Sequence, residues 1–187
     1  MVRDDEHEVM TMIKSVRARR ESGMRFQITT SSGHSLAIDD AEGDSAPRPA
    51  ELLLAAQAGC TALDVASILA KKRQSPSSYA VSVTGEQRED RHPHVYVRID
   101  IVHEFEGADL DVAAVRRAIE LSATRYCTAS AMFSAGPAEI HHRYVVSRGD
   151  GRPDESGEVV VTGPGEDPDA LGERWLAAVA APAGAAR

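Results

Sequence analysis

Two kinds of periodicity predict an α+β fold, with helices on one side of an antiparallel sheet. Apolar residues alternate with period two in short stretches at residues 26–38, 79–102 and 138–146. They recur with helical spacing at 50–74 and 109–124. The resulting order is two strands, a long helix, two strands, a helix and a strand, which puts helices and strands in separate layers around one core. The chain has 187 residues, enough for one domain to bury roughly 70% of its unfolded surface and marginal for two.

Residues 1–13 read as an acidic, charged leader. Phe26, Ile28 and Thr30 alternate with Gln27 and Thr29, Leu36 and Ile38 flank Ala37, and Ser31-Ser32-Gly33 between them signals a hairpin. A turn-rich loop at 41–49 ends in Pro49, placed where a helix begins and a missing N–H is harmless. The helix at 50–74 carries Leu52, Leu53, Leu54, Ala58, Leu63, Val65, Ile68 and Leu69 on nearly every face. A helix apolar all round is buried all round, and in a chain of this size that requires a second subunit. Lys71, Lys72 and Arg73 suit the negative end of its dipole, and Pro76 stops it.

Tyr79, Val81 and Val83 mark the next strand, and Val95, Val97, Ile99 and Ile101 the one after, with a charged loop at 87–94 between them. In the second helix Val112, Val115, Ile119 and Ala123 share a face opposite Arg116, Arg117 and Glu120. A shorter helical piece at 128–133 stops before Gly136-Pro137, and 138–146 is a strand. Beyond Ser147 the chain becomes rich in Gly and Pro. Val159-Val160-Val161 is a candidate short strand there, and 169–180 a candidate helix.

The formal charge of −8 leaves no basic face to neutralise phosphates and excludes a nucleic-acid partner. The acidic first eight residues lack the apolar core of a secretory signal. The run at 50–70 is broken by Glu51, Gln57, Thr61, Asp64 and Ser67 and reads as too polar for a membrane span. These features together predict a cytoplasmic protein. Three Phe, four Tyr and one Trp leave the core to Ala, Val, Leu and Ile.

There are two cysteines, Cys60 and Cys127, too few for a disulfide scaffold. Cys60 sits on the long helix among the small residues Ala58, Gly59 and Ala62. A core thiol and a reactive thiolate are both open readings, the second needing a cation or helix N-terminus nearby. Cys127 stands at the start of the short helix, where unsatisfied N–H groups favour a thiolate. Asp64 lies one turn beyond Cys60 on the same face. It either opposes thiolate formation there or bonds to a neighbouring strand. His92 and His94 flank Pro93 in the exposed loop, and His141 and His142 point to opposite faces of a strand, so neither pair reads as a metal site. No glycine-rich phosphate loop and no Ser-His-Asp pattern is present, and no cofactor is expected.

The segment Pro49-Ala50-Glu51-Leu52-Leu53-Leu54-Ala55-Ala56-Gln57-Ala58-Gly59-Cys60-Thr61-Ala62-Leu63-Asp64-Val65 resembles the central-helix signature of the OsmC/Ohr family, the osmotically inducible and organic-hydroperoxide-resistance proteins. Tyr126-Cys127-Thr128-Ala129-Ser130-Ala131-Met132, Lys72-Arg73-Gln74, Leu121-Ser122 and Gly23-Met24-Arg25-Phe26 look most like its YhfA-type branch. The resemblance covers residues 14–147, leaving the leader 1–13 and a C-terminal extension 148–187 outside it. It implies an intertwined homodimer, with antiparallel sheets wrapped around long buried central helices. In the family's peroxidases the cysteine matching Cys60 attacks a hydroperoxide and becomes a sulfenic acid. The cysteine matching Cys127 then closes a disulfide, which a thiol reductant reopens.

The same peroxidases activate the attacking cysteine with an arginine and a glutamate. Here Ala50 holds the family's acidic position and Glu51 follows one residue later, on a helical wheel roughly opposite Cys60. Arg17, Arg19, Arg20 and Arg25 are the candidate arginines, and Arg25 is the one chosen. The implied function is a thiol-dependent peroxidase acting on small organic hydroperoxides, using Cys60, Cys127, Glu51 and Arg25. Its reductant would be a thiol, for instance a lipoyl dithiol, and it would use no metal, cofactor, nucleic acid or membrane. The alternatives are a non-catalytic dimer holding an apolar molecule between subunits, a redox sensor built on the same cysteines, or an interaction domain acting through its tail.

Overall fold

A computed structural model describes residues 12–149 and 151–165. Most of the acidic leader and the helix expected at 169–180 lie outside the described residues. The chain divides into two compact units, residues 1–52 and 53–187.

The N-terminal unit is a three-stranded antiparallel sheet of β1 (Val16–Ser22), β2 (Arg25–Thr30) and β3 (Ser35–Ile38), in that spatial order. β2 and β3 form the expected hairpin, with Phe26 opposite Ile38 and Ile28 opposite Leu36. Gly33 turns the chain at φ +85°, a conformation that L side chains rarely adopt. β1 had no apolar alternation to announce it. All seven of its residues are exposed, and it exists by pairing with β2 around a turn at Gly23.

The long helix α1 (Pro49–Lys71) leads from this unit into the C-terminal one. There a four-stranded sheet runs in the order β4 (Ser78–Gln87), β5 (Tyr96–Glu106), β6 (Glu139–Ser147), β7 (Glu155–Thr162). The outer pairs are antiparallel, but β5 and β6 are parallel, correcting the all-antiparallel expectation. The cause is the connection. Between them come α2 (Val112–Leu121), a π-helical turn (Ser122–Tyr126) and α3 (Thr128–Ala135), and a helical crossover of that length brings the chain back to run in the same direction. The Val159–Val161 run lies in β7, the edge strand beside β6.

One face of the sheet builds the core. Phe105, Tyr144 and Val146 pack with Val65 and Leu69 of α1 and with Val115, Ala118 and Ile119 of α2. Asp111 caps α2 by accepting from the Ala113 N–H at 2.9 Å. The same face holds two buried histidines, His103 and His142, with rings stacked at 6.4 Å. His103 Nδ1 meets the Tyr79 hydroxyl at 2.9 Å.

α1 is covered along one stripe only, Gln57, Thr61, Val65 and Leu69, at intervals of four residues. Leu53 and Leu63 remain 52% and 75% exposed. Among the described residues, therefore, only a narrow seam of this largely apolar helix is buried. With a mean hydropathy of 1.7 over an 18-residue window, α1 is long and apolar enough to cross a membrane, contrary to the sequence expectation. Its buried seam, however, carries Gln57 and Thr61, both hydrogen-bonded within the chain.

Candidate thiol site

The upper half of the α1 seam is polar where the lower half is aliphatic, and that difference builds the site. Gln57 donates through Nε2 to the Ser130 hydroxyl of α3 at 2.8 Å. Thr61 and Ser122 share a hydroxyl contact of 3.1 Å, and Ser122 donates to Asp64 Oδ2 at 3.1 Å. Because the Ser122 proton goes to the carboxylate, Thr61 is the donor in its pair. Gln57, Thr61, Ser122 and Ser130 are fully buried. Each bond stabilises by about 1 kcal/mol, whereas a partner left orphaned costs about 1–3 kcal/mol. The set thus pins α1 against the π-helical turn and α3 in one register.

That register brings two cysteines together from 67 residues apart in the chain. Cys60 is half-buried on α1 and Cys127 is 2% exposed, and both thiols are free. Their sulfurs and a carboxylate oxygen of Asp64 all lie within 4.8 Å of one another. The π-helical turn ends just before Cys127, whose N–H donates to Ser122 O at 2.9 Å. Cys127 then caps α3 with extended backbone, its sulfur accepting from the Ser130 N–H at 3.4 Å. Gln57 Nε2 approaches the same sulfur at 3.7 Å.

The helix start does reach Cys127, but it does not set the thiol's acidity as the sequence predicted. Burial pushes the Cys127 pKa up, and the neighbouring Cys60 adds to this against the lowering by the Ser130 hydroxyl and N–H. The balance favours the protonated thiol at Cys127. Asp64 bonds to the π-helical turn instead of to a neighbouring strand. The structure thus groups Cys60, Cys127 and Asp64 and surrounds them with Gln57, Ser122 and Ser130. Sequence reasoning had passed over those three. A glutamine and a threonine at the first two steps of an otherwise aliphatic i, i+4 stripe, and a serine three residues after a capping cysteine, are the signals that mark them.

Arg25 and Glu51 belong to the N-terminal unit, and each has partners there. Arg25 on β2 pairs with Glu21 at 3.1 Å and donates to the Ser45 hydroxyl at 2.6 Å. Glu51 accepts from the Arg48 N–H at 2.8 Å, one half of a capping box at the start of α1. Arg17, Arg19 and Arg20 lie on the exposed β1. His141 is held between Glu139 at 2.6 Å and Glu158 at 2.8 Å, while His142 next to it is buried on the opposite face.

The chain is similar in sequence and in fold to known proteins. Residues 42–143, just over half of the chain, match the family model of OsmC-like proteins. Protein YhfA of Escherichia coli (strain K12) is 39% identical over 130 residues, covering 70% of this chain and 96% of the relative. The crystal structure of an OsmC-like protein from Mycoplasma pneumoniae superposes with a TM-score of 0.66 at 13% identity, over 74% of this chain and 100% of that one. An organic hydroperoxide resistance protein from Elizabethkingia anophelis superposes with a TM-score of 0.57 at 13% identity, over 75% and 99%. The last two show a common fold, and the family match together with the YhfA identity shows the kinship: the chain belongs to the OsmC-like protein family, on the branch of YhfA.

Proposed function

We propose that the protein is a thiol-dependent peroxidase that reduces small organic hydroperoxides through Cys60 and Cys127. The observation that carries this reading is the approach of the two sulfurs within 4.8 Å, one half-buried and one buried. Cys60, as thiolate, attacks the outer peroxide oxygen; the O–O bond breaks and the alkoxide leaves, taking a proton to become the alcohol. The resulting sulfenic acid on Cys60 condenses with the Cys127 thiol, forming the S–S bond and releasing water. A dithiol reductant, such as a lipoyl group, then exchanges into the disulfide and is itself oxidised, restoring both thiols. The raised Cys127 pKa supports this division of labour, because a protonated thiol is a poor first attacker.

Arg25 and Glu51 are assigned to activating Cys60 on the family resemblance. Their present partners are Glu21 and Ser45 for Arg25 and Arg48 for Glu51. The exposed apolar faces of α1 support a homodimer in which a second copy covers them, and a cycle that returns to free thiols suits the cytoplasm. Steady-state turnover with cumene hydroperoxide and dihydrolipoamide tests the proposal. Peroxide consumption that disappears in Cys60→Ser supports it, and equal consumption by wild type and Cys60→Ser refutes it.

A further inference from the structure

We propose that Cys60, Asp64 and Cys127 form a binding site for one soft divalent cation, with Zn²⁺ the best match, filled only while the two cysteines are reduced. Cys60 and Asp64 are one helical turn apart on α1, and Cys127 faces them from the cap of α3. The ligand atoms lie within 4.8 Å of one another. Around a tetrahedral zinc, with Zn–S about 2.3 Å and Zn–O about 2.1 Å, such atoms sit roughly 3.5–3.8 Å apart. The cluster thus closes onto an ion through a shift of about 1.3 Å or less between ligand atoms. Two thiolates select a soft metal over magnesium or calcium. Three protein ligands leave the fourth position for a water.

The surroundings are those of a metal site rather than of a packed thiol. Asp64 is oriented by the Ser122 hydroxyl at 3.1 Å, and the Cys127 sulfur by the Ser130 N–H at 3.4 Å, the outer bonds that fix ligand direction. Gln57 supplies an independent sign. It is fully buried, its amide nitrogen is 3.7 Å from the Cys127 sulfur, and its amide oxygen has no hydrogen-bond partner among the described residues. A metal-bound water is a donor suited to that acceptor. Charge points the same way, since ligation gathers two thiolates and a carboxylate within 4.8 Å of one another. A divalent cation reverses that repulsion.

Binding exchanges protons for metal: one Zn²⁺ enters, two thiol protons leave, and no electron moves. Disulfide formation consumes both sulfur ligands, so the metal-bound and disulfide states exclude each other. Zinc would thereby hold the thiols in reserve and release them on oxidation. The inference does not depend on peroxidase activity, because binding is read without any peroxide.

The test is a Zn²⁺ titration of the reduced, metal-free full chain against a chromophoric chelator, followed by Co²⁺ loading. One Zn²⁺ per chain with proton release, and a thiolate-to-cobalt charge-transfer band, are expected. Asp64→Asn is expected to weaken Zn²⁺ at least fivefold. The diamide-oxidised wild type, which needs no substitution, is expected to bind none. Zn²⁺ bound equally by the oxidised protein, a Co²⁺ spectrum without the thiolate band, or affinity in Asp64→Asn within fivefold of wild type would each overturn the site as drawn.

Discussion

Gln57 on α1 and Ser130 on α3 are joined by a buried 2.8 Å hydrogen bond, and the same glutamine amide stands 3.7 Å from the Cys127 sulfur. This bond fixes which part of α3 faces the Cys60 side of α1. Gln57→Ala removes the donor, strands the Ser130 hydroxyl and opens a cavity. It is predicted to lower unfolding stability by about 1–3 kcal/mol in urea titrations and to slow closure of the Cys60–Cys127 disulfide. Unchanged stability would show that the contact contributes nothing.

The buried histidines predict acid sensitivity. Burial lowers the His103 pKa from 6.5 to about 3 and the His142 pKa from 6.5 to about 4, with a neighbouring histidine adding to each. The unfolded chain therefore binds more protons below pH 6.5. Their stabilisation is present above that pH and is lost as pH falls toward 4 and then 3, on the order of a few kcal/mol. His141 acts oppositely. Its pKa is raised by bonds to Glu158 and Glu139, so its contribution is present below pH 6.5 and is lost as pH rises through its folded value. Urea unfolding at pH 7.5, 5.5 and 4.5 should show a steady decline that is shallower in His142→Leu.

Gly85 on β4 tests how closely the sheet packs. A Cβ there would sit 2.6 Å from the Tyr96 ring and 2.9 Å from Leu54 Cδ2. Gly85→Val must displace the tyrosine and is predicted to destabilise by about 1–3 kcal/mol, measured as a lower urea midpoint with an unchanged slope.

Leu63 tests the assembly. It is 75% exposed at the middle of α1, and the proposed dimer buries it. Sedimentation velocity should find wild type as a dimer and Leu63→Glu as a monomer. A wild-type monomer would remove the dimer proposal.

The assignment of Arg25 and Glu51 separates into rate and stability. If they activate Cys60, Arg25→Ala and Glu51→Ala each slow its first oxidation at least tenfold, while Arg17→Ala leaves it unchanged. Glu51→Ala also loses its half of the capping box, a stability effect of about 0.5–1 kcal/mol visible even if the rate stays constant.

Much of this was legible from residue order. The hairpin at Phe26–Ile38, the start of α1 at Pro49 and the cap position of Cys127 follow from local turn and capping chemistry, which sequence expresses directly. β1 was hidden because a strand with no buried face, Val16–Ser22, carries no alternation. The parallel pairing of β5 and β6 depends on how the crossover is threaded, which no period reports. The acidity of Cys127 was misjudged because a helix start is local, whereas the burial that outweighs it comes from elements distant in the chain. Gln57 looked like an interruption of an apolar helix. In the fold it marks the seam that carries the site.

The central claim is that Cys60 and Cys127 are one redox couple. The most direct measurement adds one equivalent of cumene hydroperoxide to the reduced protein without oxygen and maps its peptides without reduction. The account predicts loss of both thiols and a Cys60–Cys127 disulfide, with a sulfenic acid trapped on Cys60 in Cys127→Ser. Two thiols intact after stoichiometric peroxide, or a first oxidation at Cys127 with Cys60 untouched, would contradict it.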